Sequence, residues 1–273
     1  MNAPDRITFK SENIADIQAL PDHRNIAIDD VGIRGLRYPI MVAGRDGSSQ
    51  PTIADLQLTV ALPPDVKGTH MSRLVELIER WKSPLSANSL RQLAQALLVR
   101  LEAERGTIEL TFPYFIRKFA PVSGVESLLD YQAGARVSAS LTGPAEVVLS
   151  LRTAVTSLCP CSREISDYGA HNQRSHISIE ATLAPGHPDI VLDDLARLAE
   201  NAASCEIWGM LKRPDEKYVT ERAYDNAKFV EDLVRDVAMA LNANDAISAY
   251  RVEVENFESI HNHSAYARIT RSK

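Results

Sequence analysis

The sequence predicts an α+β protein made of two tandem units, each an antiparallel four-stranded sheet with two helices on one face (ββααββ). Three observations predict it. Apolar spacing changes from strand-like to helical and back twice along the chain, in the same order each time. A stretch of the first round, VALPPDVKGTHMSRLVELIE (60–79), lies without gaps on ATLAPGHPDIVLDDLARLAE (181–200) of the second. Leu62 then falls on Leu183, Pro64 on Pro185, Leu74 on Leu195 and Glu79 on Glu200, which together with the repeated order indicates an internal duplication. Finally, 273 residues of which 45% are hydrophobic and 24% charged supply enough apolar material for a large core.

The elements follow in order. GLRYPIMVAG (35–44) and TIADLQLTVALP (52–63) are rich in branched residues and partly alternate, as strands do. HMSRLVELIERW (70–81) carries Met71, Leu74, Val75 and Ile78 at helical spacing. A second helix spans 86–103, with Ser86 or Asn88 as its cap and Leu90, Leu93, Leu97 and Leu101 as its apolar stripe. Strands return at 107–120 and 127–141. The second round reads as strands at 144–158 and 175–184, helices at 189–203 and 226–241, and strands at 248–259 and 263–271. The expected organisation is a polar arm over 1–28, a first unit over 29–142 and a second over 143–273. Antiparallel sheets with both helices on one face bury all the stripes.

Net charge is −6, which gives no reason to expect nucleic-acid binding, though local basic residues can still hold an anionic small molecule. Three cysteines are too few and odd in number for a disulfide-stapled domain, so a reducing, cytoplasmic setting is expected. No stretch has the apolar length of a membrane span or a secretion signal. P-loop, dinucleotide-binding and nucleophile-elbow motifs are missing, as is a paired C-x-x-C array.

The chemistry concentrates in SLCPCSREISDYGAHNQRSHISIE (157–180). If Cys159–Pro160–Cys161 stays extended, both sulfurs point to one side, and His171 can reach them across the loop. That grouping suits a metal site or a nucleophile; two small buried residues and a surface histidine are the plain alternative. Cys205, at the end of an apolar helix, reads as core. In the polar segment KRPDEKYVTE (212–221), Glu216 is either a third ligand or a solvated carboxylate. Lys212 and Arg213 beside it either hold phosphate or keep the segment soluble. Glu231 falls in a row with Ala227, Val234, Ala238 and Leu241, and a carboxylate there needs a partner or an escape to water. In ESIHNHSAY (258–266), His261 and His263 alternate, and share a face if extended; histidine is the usual proton carrier near neutral pH.

Taken together, SLCPCSREISDYGAHNQRSH, KGTHMSR (67–73), LKRPDEKYVTE (211–221) and FVEDLVRD (229–236) resemble GTP cyclohydrolase I of type B, over nearly the whole chain after the arm. The resemblance implies two tandem tunnelling-fold (T-fold) units, a homotetramer with active sites at subunit interfaces, and conversion of GTP to 7,8-dihydroneopterin triphosphate and formate, the first step of tetrahydrofolate biosynthesis. It implies one divalent metal per site (manganese, iron or zinc) held by Cys159, His171 and Glu216, with Cys161 as the neighbouring active-site cysteine. It further implies Glu231 as anchor of the guanine ring, Glu258, His261 and His263 as a C-terminal catalytic cluster, and Arg73, Lys212 and Arg213 as candidate phosphate contacts, within the chain or across a subunit interface. Neither nucleic acid nor membrane is an expected partner. Rival expectations are an NADPH-dependent nitrile reductase with a cysteine nucleophile, a variant enzyme that makes a cyclic phosphate from GTP, and a non-catalytic pterin- or metal-binding assembly.

Overall fold

A computed structural model describes residues 17, 18, 20–187 and 190–273. The expected arm therefore lies outside the described residues up to 16 and at 19, and the first residue of the helix expected over 189–203 is outside them too. Eight strands form one antiparallel sheet in sequence order: β1 (Ile28–Ala43), β2 (Ser49–Leu62), β3 (Arg105–Phe119), β4 (Glu126–Ser140), β5 (Gly143–Leu158), β6 (Asn172–Leu183), β7 (Ile247–Asn256) and β8 (Ala265–Ser272). The helices are α1 (Met71–Arg80), α2 (Ala87–Leu101), α3 (Pro160–Ile165), α4 (Leu192–Ala202), α5 (Arg213–Asp225) and α6 (Val230–Asn242). Each half thus runs ββααββ once the short α3 and the inserted α5 are set aside, and β4 pairs directly with β5, Ser140 opposite Gly143, so the two halves share one sheet.

Strand alternation decides what is buried. On β3, Ile108, Leu110, Phe112 and Tyr114 point inward while their neighbours face out. They join Leu90, Leu97 and Leu98 of α2 and Leu195 and Ala199 of α4 in one continuous core. Leu74 and Ile78 of α1 and Leu233, Val237 and Leu241 of α6 extend it toward the two edges. β1 begins seven residues before the strand expected from Gly35, because its polar opening is held by backbone pairing to β2, with Ile28 opposite Leu62, rather than by an apolar pattern.

Ser86 caps α2: its hydroxyl accepts from the Ser89 N–H at 3.1 Å, while the Ser89 hydroxyl accepts from the Ser86 N–H at 2.9 Å. In the second half an aspartate at the third helical position does half of that work. Asp194, Asp215 and Asp232 accept from the N–H groups of Val191, Lys212 and Phe229 at the starts of α4, α5 and α6.

The segment read as a polar stretch at 212–221 is the first part of α5. Pro214 fits the first turn, where its missing N–H costs nothing, and Asp215 completes the start. Asp215 is wholly buried and also accepts from Val122 N–H, Ser123 N–H and the Ser123 hydroxyl, at 2.8, 2.8 and 2.6 Å. Burial pushes its pKa up, but the bonds from Ser123, Lys212 and Val122 outweigh that and hold the carboxyl well below its usual range. This one side chain therefore ties α5 to the β3–β4 turn. Gly209, just before α5, passes so close to the Leu128 carbonyl that a Cβ would stand 2.5 Å from it, so only glycine fits.

Candidate active site

Strand directions place most of the predicted residues at one end of the sheet. The pairs Leu158–Asn172, Ser175–Asn256 and Asn256–Ala265 bring the end of β5, the start of β6, the end of β7 and the start of β8 together there. The Lys228 N–H donates to the Leu158 carbonyl at 3.1 Å, so the start of α6, with Glu231, arrives at the same end. The tail of α5 joins it, because the Arg163 guanidinium donates to the Tyr224 carbonyl at 2.6 Å and lies over the Tyr224 ring.

Cys159 and Cys161 do not sit on an extended strand. Cys159 is the N-cap of α3 and Pro160 is its first residue, since a fixed proline φ suits that position. The two sulfurs consequently differ: Cys159 is half-buried and accepts from the Ser162 N–H at 3.5 Å, whereas Cys161 is exposed. The Cys159 N–H donates to the His171 carbonyl at 3.2 Å, which closes the loop from 159 to 171. Gly169 turns that loop with a φ of 114°, which glycine adopts without strain.

His171 is mostly buried, with 16% of its side chain exposed, and Glu258, at 15%, approaches its Nδ1 to 4.0 Å. Gln173 Oε1 lies 3.1 Å from the same nitrogen and Ser259 Oγ 3.5 Å. His261 and His263 occupy the β7–β8 turn rather than a strand, yet their rings stack with centroids 5.1 Å apart and planes 13° from parallel. The turn, not strand alternation, makes them neighbours.

Two of the predicted carboxylates are exposed, and Arg73 lies elsewhere. Glu231 is exposed at the second position of α6; the buried row is Val230, Leu233, Val234, Val237, Ala238 and Leu241. The carboxylate thus needs no buried partner, and it complements the positive end of the helix. Glu216 is exposed on the first turn of α5, and among the described residues no three His, Cys, Asp or Glu side chains of this chain converge to hold a metal. Arg73 lies on α1 at the opposite end of the sheet, 3.9 Å from Glu102, which follows α2 just before β3 begins. Lys212 and Arg213 start α5 at the candidate site's end, both exposed.

Cys205 is fully buried, and burial pushes its thiol up to about 11, as expected of a core cysteine. Gln173, Asp215 and Ser162 were not singled out from the sequence. Pro214 followed by Asp215 is a helix-start signature that marks α5, and His171-x-Gln173 at strand spacing marks a shared face. The chemistry of the donor set fits a divalent metal: a thiol, an imidazole and nearby carboxylates suit zinc, iron or manganese.

The architecture belongs to a class seen in solved enzymes. Uricase from Arthrobacter globiformis superposes with a TM-score of 0.53 at 9% identity, covering 90% of this chain and 93% of that one. Urate oxidase from Bacillus sp. TB-90 gives 0.50 at 9% identity, covering 90% and 100%. These define a tunnelling-fold protein and, at such identity, nothing beyond the fold.

Sequence comparison narrows the class. The family model described as type I GTP cyclohydrolase folE2 matches residues 14–267. A protein named GTP cyclohydrolase FolE2 from Paraburkholderia xenovorans (strain LB400) is 56% identical over 258 residues, 94% of this chain and 95% of that one. GTP cyclohydrolase FolE2 1 from Dechloromonas aromatica (strain RCB) is 55% identical over 269 residues, 98% of each. The chain belongs to the type I GTP cyclohydrolase FolE2 family.

Proposed function

We propose that the protein is a metal-dependent enzyme that converts GTP and a net one water to 7,8-dihydroneopterin triphosphate and formate, at the end of the sheet where β5, β6, α5 and α6 meet. Family membership supports the GTP cyclohydrolase reaction. The observation that supports this location is the approach of Glu258 to His171, whose carbonyl also accepts from the Cys159 N–H, at the end of the sheet where α6 starts. Cys159, His171 and Glu216 would hold the metal; Glu216 would complete the set by reorientation of its exposed side chain. A divalent ion bound there supplies Lewis acidity that makes water a nucleophile near neutral pH.

The protein's own groups handle the rest. Glu231 accepts from guanine N1–H and the 2-amino group, a bidentate contact that adenine cannot return. Its exposure on one chain agrees with a pocket completed by a second copy in a homotetramer, which also gives Arg73 a route to the triphosphate from a neighbouring subunit. Lys212 and Arg213 meet the phosphates from the start of α5. His261 or His263 protonates the nitrogen that departs as the C8–N bond breaks, while the Glu258 carboxylate faces His171 and its backbone carbonyl accepts from the His261 N–H. Release of C8 as formate, opening of the ribose and closure onto the amine then build the pterin. The reaction takes place in the cytoplasm.

The test is formate release from GTP by metal-stripped protein given each divalent ion in turn, with mass spectrometry of the pterin. Metal-restored formate and a linear triphosphate support the reading. A cyclic phosphate would move the protein to the variant reaction, and no formate with any ion would overturn the activity.

A further inference from the structure

We propose that Gln173 is a positioning residue that holds His171 with its proton on Nδ1, so that Nε2 is the nitrogen offered to the metal. The inference rests on His171 being a ligand, as proposed above.

Gln173 is the second residue of β6, two positions after His171, so both side chains emerge on the same side. Its Oε1 stands 3.1 Å from His171 Nδ1. An amide oxygen only accepts, so Nδ1 must donate. A neutral imidazole has one N–H, and placing it on Nδ1 leaves the lone pair on Nε2. The other groups near Nδ1 are worse placed: Ser259 Oγ is at 3.5 Å and the Glu258 carboxylate at 4.0 Å, outside good hydrogen-bond range.

Gln173 is also buried on a central strand. It is 7% exposed and lies opposite Ser157 in the β5–β6 register. Ser157 belongs to a buried polar layer with Ser175, at 2.6 Å, and Asn256, at 3.5 Å, directly above the apolar rows of Val155, Ile177 and Val254. A side chain anchored on a central strand next to such a layer orients a ligand more firmly than a loop residue does. Partners of this kind fix the tautomer of a metal-binding histidine and raise its basicity. Gln173 thereby takes the orienting role that Glu258, nearer the surface turn, would otherwise fill.

Two readouts test this without relying on turnover. Long-range proton–nitrogen NMR of metal-stripped protein carrying labelled histidine reports the His171 tautomer directly. The expected result is Nδ1–H in the unaltered protein, a mixture with Nε2–H in Gln173→Met, and Nδ1–H retained in Gln173→Glu, which keeps the acceptor. Titration of the same proteins with cobalt(II) should show affinity about 10–100-fold weaker for Gln173→Met, with Gln173→Glu near the unaltered protein. An unchanged tautomer and unchanged affinity in Gln173→Met would overturn the inference. So would a Gln173→Glu variant that loses as much as Gln173→Met, and that variant decides the matter alone if Gln173→Met does not fold by circular dichroism. The ligand reading fails separately: His171→Ala would then bind cobalt(II) as tightly as the unaltered protein, whatever the tautomer.

Discussion

The two halves of the chain run through the same strand and helix order, and they differ almost entirely in their connections at one end of the sheet. In the first half β1 turns into β2 through residues 44–48, and α1 passes to α2 through 81–86. In the second half the equivalent connections are residues 159–171, with α3, and 203–229, with α5. Cys159, Cys161, His171, Lys212, Arg213 and Glu216 all lie in these longer connections. The first half invests its connections in stability, with a serine box on α2 and a tight hairpin. A duplicated scaffold can keep one copy plain and build chemistry into the loops of the other.

Substitutions at matching positions can break that contrast. The largest effect is expected from Cys159→Ala, which should reduce formate release to background and abolish metal occupancy while circular dichroism stays unchanged. A control in the short first-half hairpin, Ser48→Ala, should leave turnover intact; full activity in Cys159→Ala would remove the ligand assignment. Next comes the second residue of each unit's long helix, Glu231 in α6 and Asn88 in α2, both exposed. Glu231→Gln should weaken GTP binding by roughly 10–100-fold, measured calorimetrically, and Asn88→Ala should not. Equal affinities for the two variants would detach Glu231 from the ring.

A third effect is on pH dependence. The folded pKa of Asp215 is lowered below an unfolded carboxylate value of about 3.9. Its stabilisation is therefore complete above that pH and is lost as pH falls through the lower, folded value. Asp215→Asn should lower the melting temperature at neutral pH and flatten the decline below about pH 4; an unaltered acid limb would show that the α5 tie carries no stability. The smallest effect is Ser86→Ala, which should cost about 1 kcal/mol of stability by denaturant titration and leave turnover unchanged.

Much of the fold was legible because periodicity reports burial. The stripes of α1 and α2 and the alternation of β3 follow directly from which residues face the core. What periodicity misses is structure held by polar groups. α5 has only Asp215 and Ala223 buried, so no apolar stripe announces it, and it is tied by polar contacts at both ends, Asp215 to the β3–β4 turn and the Tyr224 carbonyl to Arg163. α3 is six residues long with none buried. The candidate residues are legible as types and spacings, but not their geometry: spacing alone leaves Glu231 either paired or open to water, and it is the start of α6 at Val230 that puts it in an exposed first turn. Gln173 gave no signal because a buried glutamine on a strand looks like any other polar residue until its partner is placed.

Under the proposed function the long connection from Cys159 to His171 is a metal-binding arm in which the two cysteines have different roles. Cobalt(II) absorption distinguishes them, since a thiolate ligand gives an intense near-ultraviolet charge-transfer band. The band should appear in the unaltered protein, persist in Cys161→Ala and vanish in Cys159→Ala. Persistence in Cys159→Ala together with loss in Cys161→Ala would make Cys161 the ligand instead.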